Sequence, residues 1–380
     1  MGPTTAGEAE PSAAGPDRRI VIVGAGLAGS LLALALARRG LASTLVGPAL
    51  GVPGPGPSAN AAEGQPALAA TALSYGSLLG RAAARAWQEL ERQHGPLGWQ
   101  PAPLLLHGWP APLGLLPVSL QGLATAALAF SRVDTVALAA ALPAALAAAG
   151  VERQEAMVVR IAAGAGGWRL SLASGGELLA VQLVLAAGAG SRSLWPERPE
   201  RLRFSWAGVL VGAGDRTAAA AAGSGSPASG AWGVSPWLRH ARRGGIVQPL
   251  GWQRPALEAR SDRLEREEWI VDAGLAPWGS RVLLGQISLV GPDLDPQCPP
   301  DPAGMEQRLR QGLAALDPRL AAWPGPYCQV AVPYASNGQP LVGPAVGRPG
   351  LWLFSGFRAA FSTVPAQAER LATELQAALG

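Results

Sequence analysis

The chain has 380 residues, 49% of them apolar and 15% charged, which places it among compact globular proteins and away from disordered ones. It is long enough for two packed domains, or for one large domain with an insertion. All 30 cationic side chains are arginines, set against 26 acids, and a net charge of +4 is too weak a field to argue for a nucleic-acid partner.

Cys298 and Cys328 are too few for a disulfide framework and are not spaced for a metal. His94 and His107 also lack metal-like spacing, so no metal site is expected. Neither a basic start nor an apolar run precedes Asp17, which reads as no signal peptide, with residues 1–16 a disordered tail. The longest apolar stretch, Val136 to Val151, is interrupted by Pro143 and is shorter than the roughly 20 residues of a membrane span. A cytoplasmic protein without a membrane span is therefore expected; its oligomeric state is not legible.

Arg19 to Val23 is β-branched and predicts a strand, followed by the turn GAGLAG and a helix that Gly40 stops. Ala42 to Val46 then completes a parallel βαβ unit. Gly47 to Gly64 reads as an extended loop and Ser77 to Gln93 as a helix, whereas the Pro/Trp/Leu-rich stretch Leu97 to Leu123 predicts nothing regular. A second unit has a helix from about Asp134 to Gly150, a strand at Met157 to Ile161 and a hairpin through Gly166 and Gly167. The strands Trp168 to Ala173 and Leu178 to Ala187 follow, the latter ending in small residues that let another group approach the backbone.

Residues 201–330 differ in texture, with strands at Glu268 to Asp272 and Arg281 to Leu289 and a helix from Pro302 to Leu316 that ends at the Asp317-Pro318 breaker. The Ala/Gly/Ser tract Ala218 to Gly230 reads as a mobile loop. Strand Leu351 to Phe354, a turn at Ser355-Gly356 and a helix from about Thr363 to Ala378 close the chain.

Gly24-x-Gly26-x-x-Gly29 has a reason at each position: a tight turn, close approach to a pyrophosphate, and close packing of helix on strand. The backbone of Gly24, Ala25, Gly26, Leu27, Ala28 and Gly29 would cradle a dinucleotide, aided by the positive end of the helix. The acid that closes on the ribose in such folds falls at Gly47, where only backbone is available.

With three further blocks the sequence resembles the FAD-dependent oxidoreductases of the D-amino acid oxidase, glycine oxidase and sarcosine oxidase type. The blocks are VDTVALAAALPAALAAAGVERQEAMVVRI, VQLVLAAGAGSRSLWP, and NGQPLVGP followed by GLWLFSGFRAAFSTVPAQAERLA. The resemblance implies an α/β fold, with a Rossmann-like FAD-binding domain of the GR2 type interleaved with a mainly antiparallel β-sheet substrate domain. It gives residues 17–80, 131–200 and 334–380 to the FAD domain, and 81–130 and 201–333 to the substrate domain.

It further implies that Val159 meets the adenine and that Ala187, Gly188 and Ala189 contact the flavin. Gly356, Phe357, Arg358, Ala359 and Ala360 would face its pyrimidine ring. FAD would be held non-covalently; Cys328 lies two residues off the position where sarcosine oxidases attach it. Three departures stand out: Val332 where many such oxidases carry a carboxylate-binding arginine, Ala360 where glycine is usual, and Phe357 where histidine is common.

The activity implied is oxidation of a CH–NH bond in a small amine or amino-acid-like substrate, by hydride transfer to flavin N5 with dioxygen as acceptor. Arg358 is the candidate replacement for the anchor missing at Val332, and Tyr334, with Tyr327 seven residues before it, is a candidate pocket residue. Two other readings are a flavin-binding protein with little turnover, suggested by Gly47 and Val332, and an oxidase of a modified tRNA amine. The second is suggested by the cluster Trp237, Arg239, His240, Arg242 and Arg243, which otherwise reads as a solvated face.

Overall fold

The computed structural model describes residues 20–48, 73–74, 78–108, 130–212 without 196 and 198, and 235–380 without 252. The tail before Asp17, the loop after Pro48 and the tract Ala218 to Gly230 lie outside these residues.

Two six-stranded sheets organise the chain. The first runs in the order Leu341–Pro344, Leu351–Ser355, Gln182–Leu185, Ile20–Val23, Ser43–Val46, Glu152–Gln154. All its neighbours are parallel except the antiparallel edge strand Leu341–Pro344. The crossover between Ile20–Val23 and Ser43–Val46 is the helix Leu27–Ala37, whose leucines and alanines are buried on nearly every side. That burial explains why its sequence shows no polar face.

Small sheets flank this core. An antiparallel meander, Val158–Gly164, Gly167–Leu172 and Glu177–Ala180, turns at Gly166 and Gly167 as the sequence indicates. The single strand expected over Leu178 to Ala187 is two strands. Glu177–Ala180 stays in the meander, and Gln182–Leu185 joins the central sheet, with exposed Val181 as the break. A continuous apolar run cannot reveal a change of sheet, since alternation is lost wherever both faces are covered. The segment left unassigned holds the short strands Trp99–Pro101 and Leu104–His107, each in a different sheet.

The second large sheet runs Tyr327–Ala335, Leu202–Gly212, Arg281–Val290, Glu268–Trp278, Ile246–Pro249, Leu104–His107. It is antiparallel apart from its last pair. The helix Pro302–Leu316, capped by Asp301 onto Ala303 and Gly304, packs Met305, Leu309 and Leu313 against Trp206, Leu210, Leu284, Ile287 and Leu289. Strand alternation therefore turns Arg203, Ser205, Gln248, Asp272, Ser288, Val332 and Tyr334 to the opposite face. On that face Tyr334 and Val290 pack on Leu257 of the short helix Arg254–Ala259.

The final helix spans Ala360–Leu379, three residues earlier at its start than the sequence indicates. Pro365 obscures this first turn, because a proline lacks the N–H that the carbonyl four residues before it requires. That carbonyl, of Phe361, accepts a hydrogen bond from Trp87 Nε1 at 2.7 Å. The helix Leu78–His94 supplies Trp87, which is fully buried and stacks on Phe361 with ring centroids 6.3 Å apart.

Candidate active site

Three strands of the first sheet, Ile20–Val23, Gln182–Leu185 and Leu351–Ser355, are parallel neighbours, so the turns after them emerge along one edge. These turns are Gly24–Gly29, Ala186–Gly190 and Gly356–Ala359. Ligands of open α/β sheets bind at that carboxyl edge. The first two turns touch: a Cβ on Gly24, where φ is +115°, would come within 2.4 Å of the Ala186 carbonyl oxygen. The third is tied to the second sheet, as Ala335 N donates to Gly356 O at 3.0 Å.

The glycines of the fingerprint divide by what surrounds them. A Cβ on Gly29 would lie 1.9 Å from Gly24 O, so helix and turn pack too closely for any side chain. Gly26 is different: among the described residues a Cβ there meets nothing within 4 Å. No contact among those residues requires glycine at 26, whereas a pyrophosphate approaching the backbone would. Gly26 also caps the helix without a side-chain hydrogen bond, and the first turn carries no acid, so its amide donors face the open side. The cradle fits FAD.

Gly47 explains the missing ribose acid. Its φ is +157° and a Cβ would stand 2.7 Å from Ala25 N, while its own N–H donates to Gln154 O at 3.1 Å. The strand end is packed so tightly on the fingerprint that no acid fits there. Val159 is 56% exposed and occupies a bulge, since Val158 pairs with Leu172 and Arg160 with Ser171.

Around the third turn the side chains sort differently. Phe357 is buried and packs edge-on against Phe354 at 4.9 Å, so it offers only backbone to the edge. Ala359 and Ala360 begin the final helix without a side-chain cap. Arg358 turns back: its Nε lies 3.1 Å from Glu258 Oε2 and its Nη2 donates to Ser336 O at 2.8 Å. Arg254 Nη1 lies 3.8 Å from Glu258 Oε1, and its Nη2 donates to Arg358 O at 3.3 Å. Burial pushes the Glu258 carboxyl above its ordinary range, against the pull of the Arg254 and Arg358 charges. Glu258, Arg254 and Asp272, none marked by a motif, thus form a buried ionic cluster behind Arg358.

Tyr334 is 1% exposed, and burial pushes its phenol up to about 12, so it stays a neutral donor. Tyr327, seven residues earlier, is on the helix-covered face and donates to Gln329 Oε1, so it packs within the core. Cys328 is buried near that far end of the strand, about 23 Å from Ala335 at strand rise. On the face of Tyr334, Ser205 Oγ and Gln248 Nε2 are buried without a hydrogen-bond partner among the described residues. Buried polar atoms are rarely left so unless another group completes them.

The aromatic-basic cluster does not form one surface. Trp237 is buried in the sheet core and meets His107 edge-on at 5.7 Å, Arg242 lies over Trp323, and His240 Nε2 contacts Pro103 O. His107 bonds Ala273 O, and burial lowers its pKa. Among the described residues no group of His, Cys, Asp and Glu could hold a metal, and no helix is long and apolar enough to cross a membrane.

A dinucleotide cradle on a doubly covered parallel sheet, joined to an antiparallel sheet with a polar inner face, defines a two-part flavoprotein oxidoreductase. The family model described as FAD dependent oxidoreductase matches residues 19–374, and the chain belongs to that family. FAD is its cofactor. Among solved structures, glycine oxidase from Geobacillus kaustophilus is similar at 20% identity, with TM-score 0.60 and coverage of 95% of each chain. Iminodiacetate oxidase from Chelativorans sp. BNC1 is similar at 16% identity and TM-score 0.63, covering 94% of this chain and 95% of that one. Amadoriase I, the fructosyl amine:oxygen oxidoreductase of Aspergillus fumigatus, is similar at 16% identity and TM-score 0.57, covering 97% and 88%. No curated protein matches the sequence.

Proposed function

We propose that the protein oxidises the CH–NH bond of a small amine or amino acid and passes the electrons through FAD to dioxygen. The observation that carries this is the inner sheet face, where Ser205 Oγ, diagonal to Tyr334 across the ladder, and, farther along the same face, Gln248 Nε2 are buried and unpartnered among the described residues, with Tyr334 beside the strand end that bonds the turn Gly356–Ala359. A substrate laid there would complete those bonds. The similar oxidases support the bond type, for glycine, iminodiacetate and a fructosyl amine each carry a carbon–nitrogen bond of this kind. Amadoriase I, a fructosyl amine:oxygen oxidoreductase, supports oxygen as the acceptor.

Bound FAD supplies the two-electron acceptor. The chain's own residues orient and enclose the substrate. Uncapped amides at the start of the helix Ala360–Leu379 would support negative charge on the pyrimidine side of the ring. Tyr334 would donate a hydrogen bond without ionising. The amine loses two electrons and two protons to become an imine, which water hydrolyses to a carbonyl compound and ammonia or a smaller amine; dioxygen takes up the two electrons and two protons as hydrogen peroxide.

The test is anaerobic mixing of the yellow holoprotein with a panel of amines and amino acids. Bleaching near 450 nm, with one peroxide per carbonyl product once air is admitted, is expected for at least one member. An unbleached flavin across the panel overturns the reading.

A further inference from the structure

Arg192, Arg203, Arg254 and Arg358 lie near the turns at Gly188 and Gly356. Arg192 follows the Gly188–Gly190 turn, and Arg203 adjoins Leu202, whose Cδ1 would lie 3.3 Å from a Cβ on Gly356. Arg254 and Arg358 are the other two, and both sit on Glu258. Arg358, the replacement anchor suggested by sequence, is therefore already engaged by this chain.

Arg203 is not. Its Nε is buried and has no hydrogen-bond partner among the described residues, and no carboxylate of those residues pairs with it. It faces Tyr334 directly across the antiparallel ladder, and Ser205 faces Val332. Arg203 and Val332 are thus diagonal neighbours on one sheet face, about 7–8 Å apart at the backbone and within reach of a long side chain. A guanidinium rooted at 203 can occupy the space that one rooted at 332 would fill.

The composition narrows the choice further. The chain has no lysine, so any cationic anchor for a carboxylate is an arginine or a histidine, and His94, His107 and His240 are the only histidines. Of these, His107 and His240 bond backbone carbonyls, and His94 ends the helix Leu78–His94. Arg192 adds a second cation: burial and then the charge of Arg203 lower its pKa, while Asp295 and Asp293 oppose this more weakly. Arg192 lies over the Phe204 ring, and the half-buried Arg203 has its Nε buried and unpartnered among the described residues, so two like charges meet where an anion would relieve them.

We propose that Arg203, beside Arg192, takes the carboxylate of the substrate in the place left by Val332, so that the preferred substrates are amino acids or N-substituted amino acids and not simple amines. This rests on the CH–NH reading above. A planar fork donating to a carboxylate, with Ser205 alongside, is the chemistry that would select them.

The experiment compares wild type, Arg203→Gln, Arg203→Lys and the exposed control Arg266→Gln, each as FAD-bound protein. Acetate, a carboxylate without an amine, is titrated against the flavin absorption spectrum. It should perturb the spectrum of wild type and R266Q, R203Q should need about 100-fold more of it, and R203K an intermediate amount. In turnover, the ratio of kcat/KM for an amino acid over its decarboxylated amine should fall by a similar factor in R203Q. No acetate response in wild type, or a response and a preference in R203Q within threefold of wild type, overturns the proposal. Arg203-dependent acetate binding with no bleaching by any amine or amino acid would leave the anchor standing and overturn the proposed reaction instead.

Discussion

At the scale of single residues, two glycines three positions apart separate folding from binding. Gly26→Ala adds a methyl that meets no atom of the described residues within 4 Å, so unfolding of the FAD-free protein should change by less than about 1 kcal/mol while FAD affinity falls more than tenfold. Gly29→Ala drives a methyl to 1.9 Å from Gly24 O and should cost the FAD-free protein about 2 kcal/mol or more. Urea titration with and without FAD reads both, and equal effects of the two on the FAD-free protein would contradict the division. Arg358 is the other residue with a sharp consequence. Arg358→Ala leaves Glu258, 1% exposed, without its 3.1 Å partner, and should cost about 3 kcal/mol. Adding Glu258→Gln should restore part of that, because no carboxylate is then stranded; strict additivity of the two in a double-mutant cycle would show that they do not interact.

At the scale of elements, Trp87 and Asp317 hold helix starts that sequence patterns describe unequally. Trp87→Phe leaves Phe361 O, already deprived of a partner by Pro365, without a donor inside the core. A loss of about 2 kcal/mol is expected in urea unfolding, and no change would mean that water reaches that carbonyl. Asp317 caps the helix Pro318–Ala321 by accepting from Arg319 N at 3.0 Å. Burial raises its pKa, but hydrogen bonds from the Arg319 backbone and guanidinium outweigh this and leave it below the ordinary value. A depressed carboxylate contributes stability above its unfolded pKa of about 3.9, lost as pH falls through the lower folded value. Asp317→Asn should therefore cost up to about 1 kcal/mol at pH 7, a cost that shrinks as pH falls through the depressed folded value, and a difference independent of pH would refute that linkage. The Asp317-Pro318 signal was readable because cap chemistry is local. The start at Ala360 was not, since what permits a helix through Pro365 is an indole 274 residues away in sequence. Likewise the glycine spacing exposed the cradle, whereas Glu258 and Arg203 carry no motif and become visible only once strand register and helix packing put them beside the turns.

At the scale of the molecule, the three turns of the cradle lie more than 330 residues apart from first to last, and only the order of the parallel strands assembles them. The Gly356 turn is also bonded to Ala335 of the second sheet, and Arg358 to Glu258 of the helix beside it. FAD bound along this edge would lie where the two sheets join, and would act as a ligand of the folded chain alone. Binding of that kind raises stability by about 2.7 kcal/mol at a free concentration 100 times Kd. Thermal unfolding of the wild type should accordingly move upward with each addition of FAD, and for a chain of this length that energy corresponds to a shift of only a few degrees. The transition should remain single, because the junction of the two sheets lies at the cradle itself. Gly26→Ala, which leaves the protein's own packing intact, should unfold at the wild-type temperature without FAD and fail to follow it upward at the same FAD concentrations. If instead two transitions appear and FAD shifts just one of them, the sheets are energetically separate and the link through Ala335 and Glu258 does not couple them.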